Sequence, residues 1–168
     1  MMDYPFSEAE LKAAARDWGC NCGPSALAFA IQRPLEVARH AIPDFDRKRY
    51  TSPSMMLAAL QSLGIKHHAH PTTLKVEASM FDDRPALVRV QWTGPWTGKW
   101  AYWYTHWVCC WKEWGVDAVF DCNGGVLHFR EWRDEIVPLL LPKRGDGKWH
   151  PTHIWRLSPL TPARGGGA

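Results

Sequence analysis

The chain predicts an α+β fold on three observations. Helix-like segments fill its first third and strand-like segments follow, instead of alternating as they do in βαβ units. The runs ALVRVQ (86–91), YWYTHWVCCW (102–111) and VDAVFD (116–121) are dense in β-branched, aromatic and other β-forming residues. Asn123-Gly124-Gly125 is a hairpin-type turn signal placed directly after the last of them.

Each element has its own warrant. Residues 7–17 (SEAELKAAARD) read as a helix with Ser7 as N-cap and Glu10 completing a capping box. A second helix runs through CGPSALAFAIQ to about Gln32. Pro24 is tolerated only in a first turn, so this helix starts between Asn21 and Gly23 and places Cys22 at its N-terminus. Residues 34–41 form a third helix, 42–51 a polar loop, and Ser52-Pro53 opens a helix through about Leu63 that Gly64 stops. Strands are expected at 65–70 and 86–91.

The next segment is ambiguous. Tryptophans at 92, 96, 100, 103, 107, 111 and 114 recur at helical spacing. Gly94-Pro95 and Gly98 would break one long helix, so a loop over 92–100 and a strand over about 102–112 are preferred. Strands at 116–121 and 126–128, a helix at 129–140 that ends or kinks near Pro138, a basic loop and a strand near 153–157 complete the chain. Residues 1–160 are expected to form a single domain, with 161–168 a flexible Pro/Gly-rich tail.

Composition narrows the function. With 46% hydrophobic and 22% charged residues, the chain of 168 is globular and not disordered. The net charge of +3 comes from basic residues scattered along the chain, which gives no basis for a nucleic-acid partner. No apolar run approaches the roughly 18 residues of a membrane span. The acidic N-terminus lacks a secretion-signal pattern, so a cytoplasmic setting is expected. Five cysteines, an odd number in tight clusters, do not form a disulfide framework.

Three residues carry candidate chemistry. A thiol at a helix N-terminus is biased toward thiolate, and the backbone N–H groups there can hold an oxyanion, which marks Cys22 as a possible nucleophile. A nucleophilic cysteine needs a base. His106 lies on the strand-like run THWV and shares a face with Val108 and Cys110. The histidine needs an orienting acceptor. A turn near Gly115 would bring Asp121 back beside His106, and Asn123 is a second candidate for that role. The structural alternatives are ordinary ones: a buried cysteine, a packed histidine and two turn formers.

Taken in order, these segments resemble the bacteriocin-processing, double-glycine peptidases, a family of papain-like cysteine peptidases. NCGPSAL is similar to the nucleophile motif and SPSMMLAALQSLGI to the helix leading to the sheet. RPALVRVQW, THWVCCW and VFDCNGG resemble the strands and turn that carry histidine and aspartate. FREWRDEIVPLLL stands where that family has a closing helix, so the resemblance spans about residues 17–142. It implies a papain-like fold with Cys22 as nucleophile, His106 as general base and acid, and Asp121 as orienting residue. It implies thioester chemistry on a peptide or isopeptide bond of a polypeptide substrate, without cofactor or metal.

In one place the chain departs from that pattern. The family carries an oxyanion-hole glutamine about six residues before the cysteine, where this chain has Arg16. Arg16 or Asn21 would have to substitute, and losing such a donor typically costs on the order of a hundred- to a thousand-fold in rate. Two alternatives therefore remain: the same triad in amide or acyl-transfer chemistry (deamidase or transglutaminase-like), or a degenerate peptidase scaffold that binds a protein partner. Cys20 is read as a bystander, with a reversible pairing to Cys22 as the alternative. Cys109, Cys110 and Cys122 are read as buried apolar residues, since they lack the paired spacing of common zinc sites.

Overall fold

The computed structural model describes residues 4–70, 77–92, 104–140 and 149–158. Helices α1 (Glu8–Trp18), α2 (Cys22–Ile31), α3 (Leu35–Ala41), α4 (Phe45–Lys48) and α5 (Pro53–Ser62) precede the main sheet strands. The strands are β1 (His67–Ala69), β2 (Ala86–Trp92), β3 (Thr105–Glu113), β4 (Val116–Asp121), β5 (Gly125–His128) and β6 (Trp149–Leu157). They form one six-stranded sheet in the order β1-β6-β2-β3-β4-β5, and every pairing is antiparallel. The fold is therefore α+β. Among the described residues, no helix is long and apolar enough to cross a membrane.

Local chemistry sets the helix ends. The Ser7 hydroxyl accepts from the Glu10 N–H at 3.2 Å, and the Ser7 N–H donates back to the Glu10 carboxylate at 2.7 Å. α1 closes on Gly19, whose φ of +71° suits a residue without Cβ. α2 begins at Cys22 with Pro24 in its first turn. Its residues Gly23–Ile31 are all buried, as expected of a helix that is apolar all round. The span 42–51 is not entirely loop. Phe45 is 2% exposed, and burying it winds a single turn, α4, into an otherwise polar stretch.

β3 decides between the two readings of the tryptophan segment: 105–113 is a strand, not a helix. Side chains alternate across it. Trp107, Cys109 and Trp111 join the core on the helical side, and Val108 and Cys110 join a second core on the opposite face. α2 lies against the helical side, where Phe29 stacks on Phe120 of β4 at 4.3 Å with rings nearly parallel. The β3–β4 turn is made by Trp114 and Gly115, both with positive φ (54° and 80°), as a tight two-residue hairpin requires.

The helix expected at 129–140 is real but composite. One α-turn, α6 (Phe129–Glu131), leads into a π-helical stretch (Trp132–Ile136) and then α7 (Val137–Leu140). Pro138 does not end the helix and stands within α7, directly after the π-helical stretch. Its ring cannot coexist with a regular i→i−4 ladder, and the wider turn just before it relieves that conflict. β6 is longer than expected and pairs with β2 through a register shift between Arg89 and Val90. The loop over 92–100 (beyond Trp92), the basic loop and the tail 161–168 lie outside the described residues.

Candidate functional site

The site gathers at the N-terminus of α2 and the adjoining parts of β3 and β4. Cys109 pairs with Phe120, and that register leaves His106 and Asp121 diagonal neighbours on one face. His106 Nε2 lies 2.9 Å from Asp121 Oδ2, with His106 7% exposed and Asp121 fully buried. Asp121 is saturated. Its Oδ2 also accepts from the Trp132 indole N–H at 2.7 Å, and its Oδ1 accepts from the Asn123 backbone N–H at 2.8 Å and side-chain amide at 3.0 Å.

Burial alone would raise the Asp121 pKa. The His106 charge, its hydrogen bond and those from Trp132 and Asn123 overcome this and hold it at about 2. An ionised carboxylate only accepts, so the His106 Nε2 carries the proton. Nδ1 is then the ring atom left to act as base. For His106 itself, burial opposes the charge, but the Asp121 charge and hydrogen bond prevail, and Cys20 adds to them, so its pKa rises.

The thiols form the other half. Cys20 Sγ and Cys22 Sγ are 3.8 Å apart, and both side chains are half-buried. One S–H bridges them. The hydrogen-bonding contact with Cys22 outweighs burial and, with the His106 charge, lowers Cys20 to about 6. The contact with Cys20 and desolvation raise Cys22, although the Trp107 backbone N–H favours its thiolate. The two sulfurs thus share one readily lost proton. Among the described residues, Cys22 makes no hydrogen bond to His106.

Gly23 fixes where this helix terminus sits. A Cβ there would lie 2.1 Å from Thr51 Oγ1 and 2.5 Å from Thr51 Cβ, so only glycine allows the approach. The Thr51 carbonyl in turn accepts from the Trp107 indole N–H at 2.8 Å. This chain of contacts ties the start of α2 to the residue beside His106.

The remaining candidates are placed elsewhere or used differently. Arg16 stands in solvent on α1, its guanidinium forked onto Asp17 at 2.7 and 3.2 Å. Asn21 is buried, and its amide donates to the Leu11 carbonyl at 3.3 Å, bracing α2 against α1. Asn123 bonds Asp121 and not His106, so Asp121 is the imidazole's partner. His106, Asp121 and Cys122 present potential metal-ligand atoms within 4.8 Å of one another. Both Asp121 oxygens already accept two hydrogen bonds each, so a cation there would have to displace them. A groove of about 650 Å³ opens beside Cys122 and Asn123, floored by Tyr4, Phe6, Leu11 and Ala15.

One participant, Trp132, carries no role in the sequence reading. Trp132 reaches Asp121 from the π-helical turn. A buried indole N–H needs an acceptor, which was the available signal, but its direction depends on that irregular turn. Of the two readings of Cys20, bystander or partner of Cys22, the structure shows its sulfur in contact with that of Cys22.

No family model matches the chain, and a search of curated proteins returns no match.

Proposed function

We propose that the protein is a papain-like thiol hydrolase that cleaves a peptide or isopeptide bond through Cys22, His106 and Asp121. One observation carries this reading: the buried His106–Asp121 pair leaves Nδ1 as the imidazole's basic atom, beside a helix-terminal thiol pair whose charge it feels. Cys22 Sγ attacks the carbonyl carbon, and its proton passes to His106 Nδ1. His106 returns the proton to the leaving amine, and water then hydrolyses the thioester. The N–H groups at the start of α2 supply the oxyanion donors. The groove beside Cys122, apolar at Tyr4, Phe6, Leu11 and Ala15 and rimmed by Glu8 and Lys12, is the recess proposed to take part of a polypeptide substrate.

The test is turnover of a mixed peptide library together with labelling by a peptidyl acyloxymethyl ketone. Wild type should cleave and be labelled on Cys22. Cys22→Ala and His106→Ala should lose cleavage while keeping the wild-type circular dichroism spectrum. Equal cleavage by either variant would falsify the mechanism.

A second reading, a scaffold that binds a protein partner without cutting it, draws on the placement of Arg16 and Asn21. Arg16 is paired to Asp17 in solvent and the Asn21 amide is committed to Leu11, so neither is held for an oxyanion. A wild type that takes the label but produces no fragments from the library favours this second reading.

A further inference from the structure

We infer that Cys20 and Cys22 form a reversible intramolecular disulfide that switches the proposed nucleophile off. The inference deepens the hydrolase reading in its regulatory part, but the bond itself stands on geometry alone. The sulfurs already touch at 3.8 Å, so a disulfide of about 2.05 Å requires them to approach by less than about 2 Å. Cys22 is fixed as the first residue of α2, whereas Cys20 belongs to the two-residue link after the Gly19 cap and carries no helical hydrogen-bond pattern. The partner that must move is therefore the one on irregular backbone. Both side chains are half-buried, so a small oxidant can reach them. Cys109 and Cys110, fully buried in β3, are shielded from the same chemistry.

The oxidant is a hydroperoxide, and the steps balance. The Cys20 thiolate attacks the distal peroxide oxygen. An S–O bond forms, the O–O bond breaks, and the leaving oxygen departs as water after taking a proton. The Cys22 sulfur then attacks the sulfenic sulfur. The S–S bond forms and hydroxide leaves, taking the Cys22 proton as water. The thiols lose two electrons and the peroxide gains them. A dithiol reductant reverses the bond by exchange. In this order the sulfur on the irregular link meets the peroxide, and the sulfur fixed at the start of α2 resolves the product.

The experiment treats the whole protein with stoichiometric hydrogen peroxide, blocks remaining thiols with iodoacetamide and maps tryptic peptides by mass. Cleavage after Arg16 and Arg39, with Arg33 protected by Pro34, isolates residues 17–39, which hold Cys20 and Cys22 and no other cysteine. The expected product is that peptide lighter by two hydrogens and carrying no alkyl group, restored to a doubly alkylated form by dithiothreitol. In Cys20→Ser, the same treatment should instead leave Cys22 alkylated or over-oxidised. Labelling of Cys22 by the ketone should fall at least about tenfold on oxidation and recover on reduction. A cross-link from either cysteine to Cys122, a disulfide between chains, or sulfinic acid without the lighter peptide overturns the inference. So does full labelling of Cys22 in the oxidised form. Failure of the hydrolase reading is separately visible as labelling of the reduced protein that His106→Ala does not change.

Discussion

The two halves of the site are built to opposite standards. Around Asp121, every oxygen lone pair is matched to a donor, and His106, Trp132 and Asn123 are held from three directions. Around the thiols, a single soft sulfur contact at 3.8 Å joins two half-buried side chains. The first half is preorganised, because a buried charge is tolerable only when fully paired. The second retains freedom to shift a proton or a sulfur. Under the proposed hydrolase reading, a nucleophile that moves onto a carbonyl and back benefits from that looseness, while a base that holds one tautomer benefits from rigidity.

The sharpest way to break the contrast is on the rigid side. Asp121→Ala leaves the Trp132 and Asn123 donors and the buried imidazole without an acceptor. Breaking such a pair typically costs about 3–5 kcal/mol, read as a lower urea midpoint at unchanged slope. A loss below about 1 kcal/mol would mean that water replaces the carboxylate and that the network is not rigid.

Next comes the hinge between the halves. Gly23→Ala drives a methyl into Thr51, and overpacking of this kind costs about 1–3 kcal/mol. Adding Thr51→Ala should recover only part of the loss, because the Thr51 Cβ itself lies 2.5 Å from the new atom. Complete recovery would show that the hydroxyl alone sets the approach.

Acid sharpens the comparison without mutation. The Asp121 pKa is lowered from 3.8 to about 2. Its contribution to stability is therefore present above the unfolded value and lost as pH falls through the folded one. About 2 kcal/mol should disappear between roughly pH 4 and pH 2, and Asp121→Asn should lack that step. His106 acts in the opposite sense. Its pKa is raised, so its contribution is complete below its ordinary value and fades as pH rises through the folded one. An acid profile shared by wild type and Asp121→Asn would assign the step to other carboxylates.

How much of this was legible follows from the same contrast. His106 and Asp121 could be read because strand alternation and the glycine turns fix which side chains share a face, and a two-residue period tolerates little error. Cys22 could be read because Pro24 restricts where α2 starts. Trp132 could not, since a π-helical turn changes the direction in which a side chain points relative to a regular helix. Phe45 showed only as one apolar residue in a polar stretch, too little to announce a helical turn. The Cys20 contact lies on a link between two helices, where no period constrains the side chain. The papain-like expectation rests on the order of these segments, and the antiparallel sheet with a buried helix against it is compatible with that order.

The smallest expected change in stability tests the loose half most directly. Cys20→Ser exchanges one half-buried atom and should alter the urea midpoint by no more than about 0.5 kcal/mol. Its chemical consequence is larger. In the wild type, the contact with Cys20 and desolvation raise the Cys22 pKa, and a negative charge on Cys20 opposes a second thiolate. A serine hydroxyl at that position carries no charge and can itself donate to a thiolate. The Cys22 pKa should therefore fall, with the Trp107 N–H and the helix terminus now unopposed. A lower pKa enlarges the thiolate fraction at pH 7, so iodoacetamide should modify Cys22 several-fold faster than in wild type. An unchanged or slower rate would mean that the two sulfurs do not share a proton. The looseness on the thiol side would then be only a gap in packing, and the contrast with Asp121 would lose its chemical meaning.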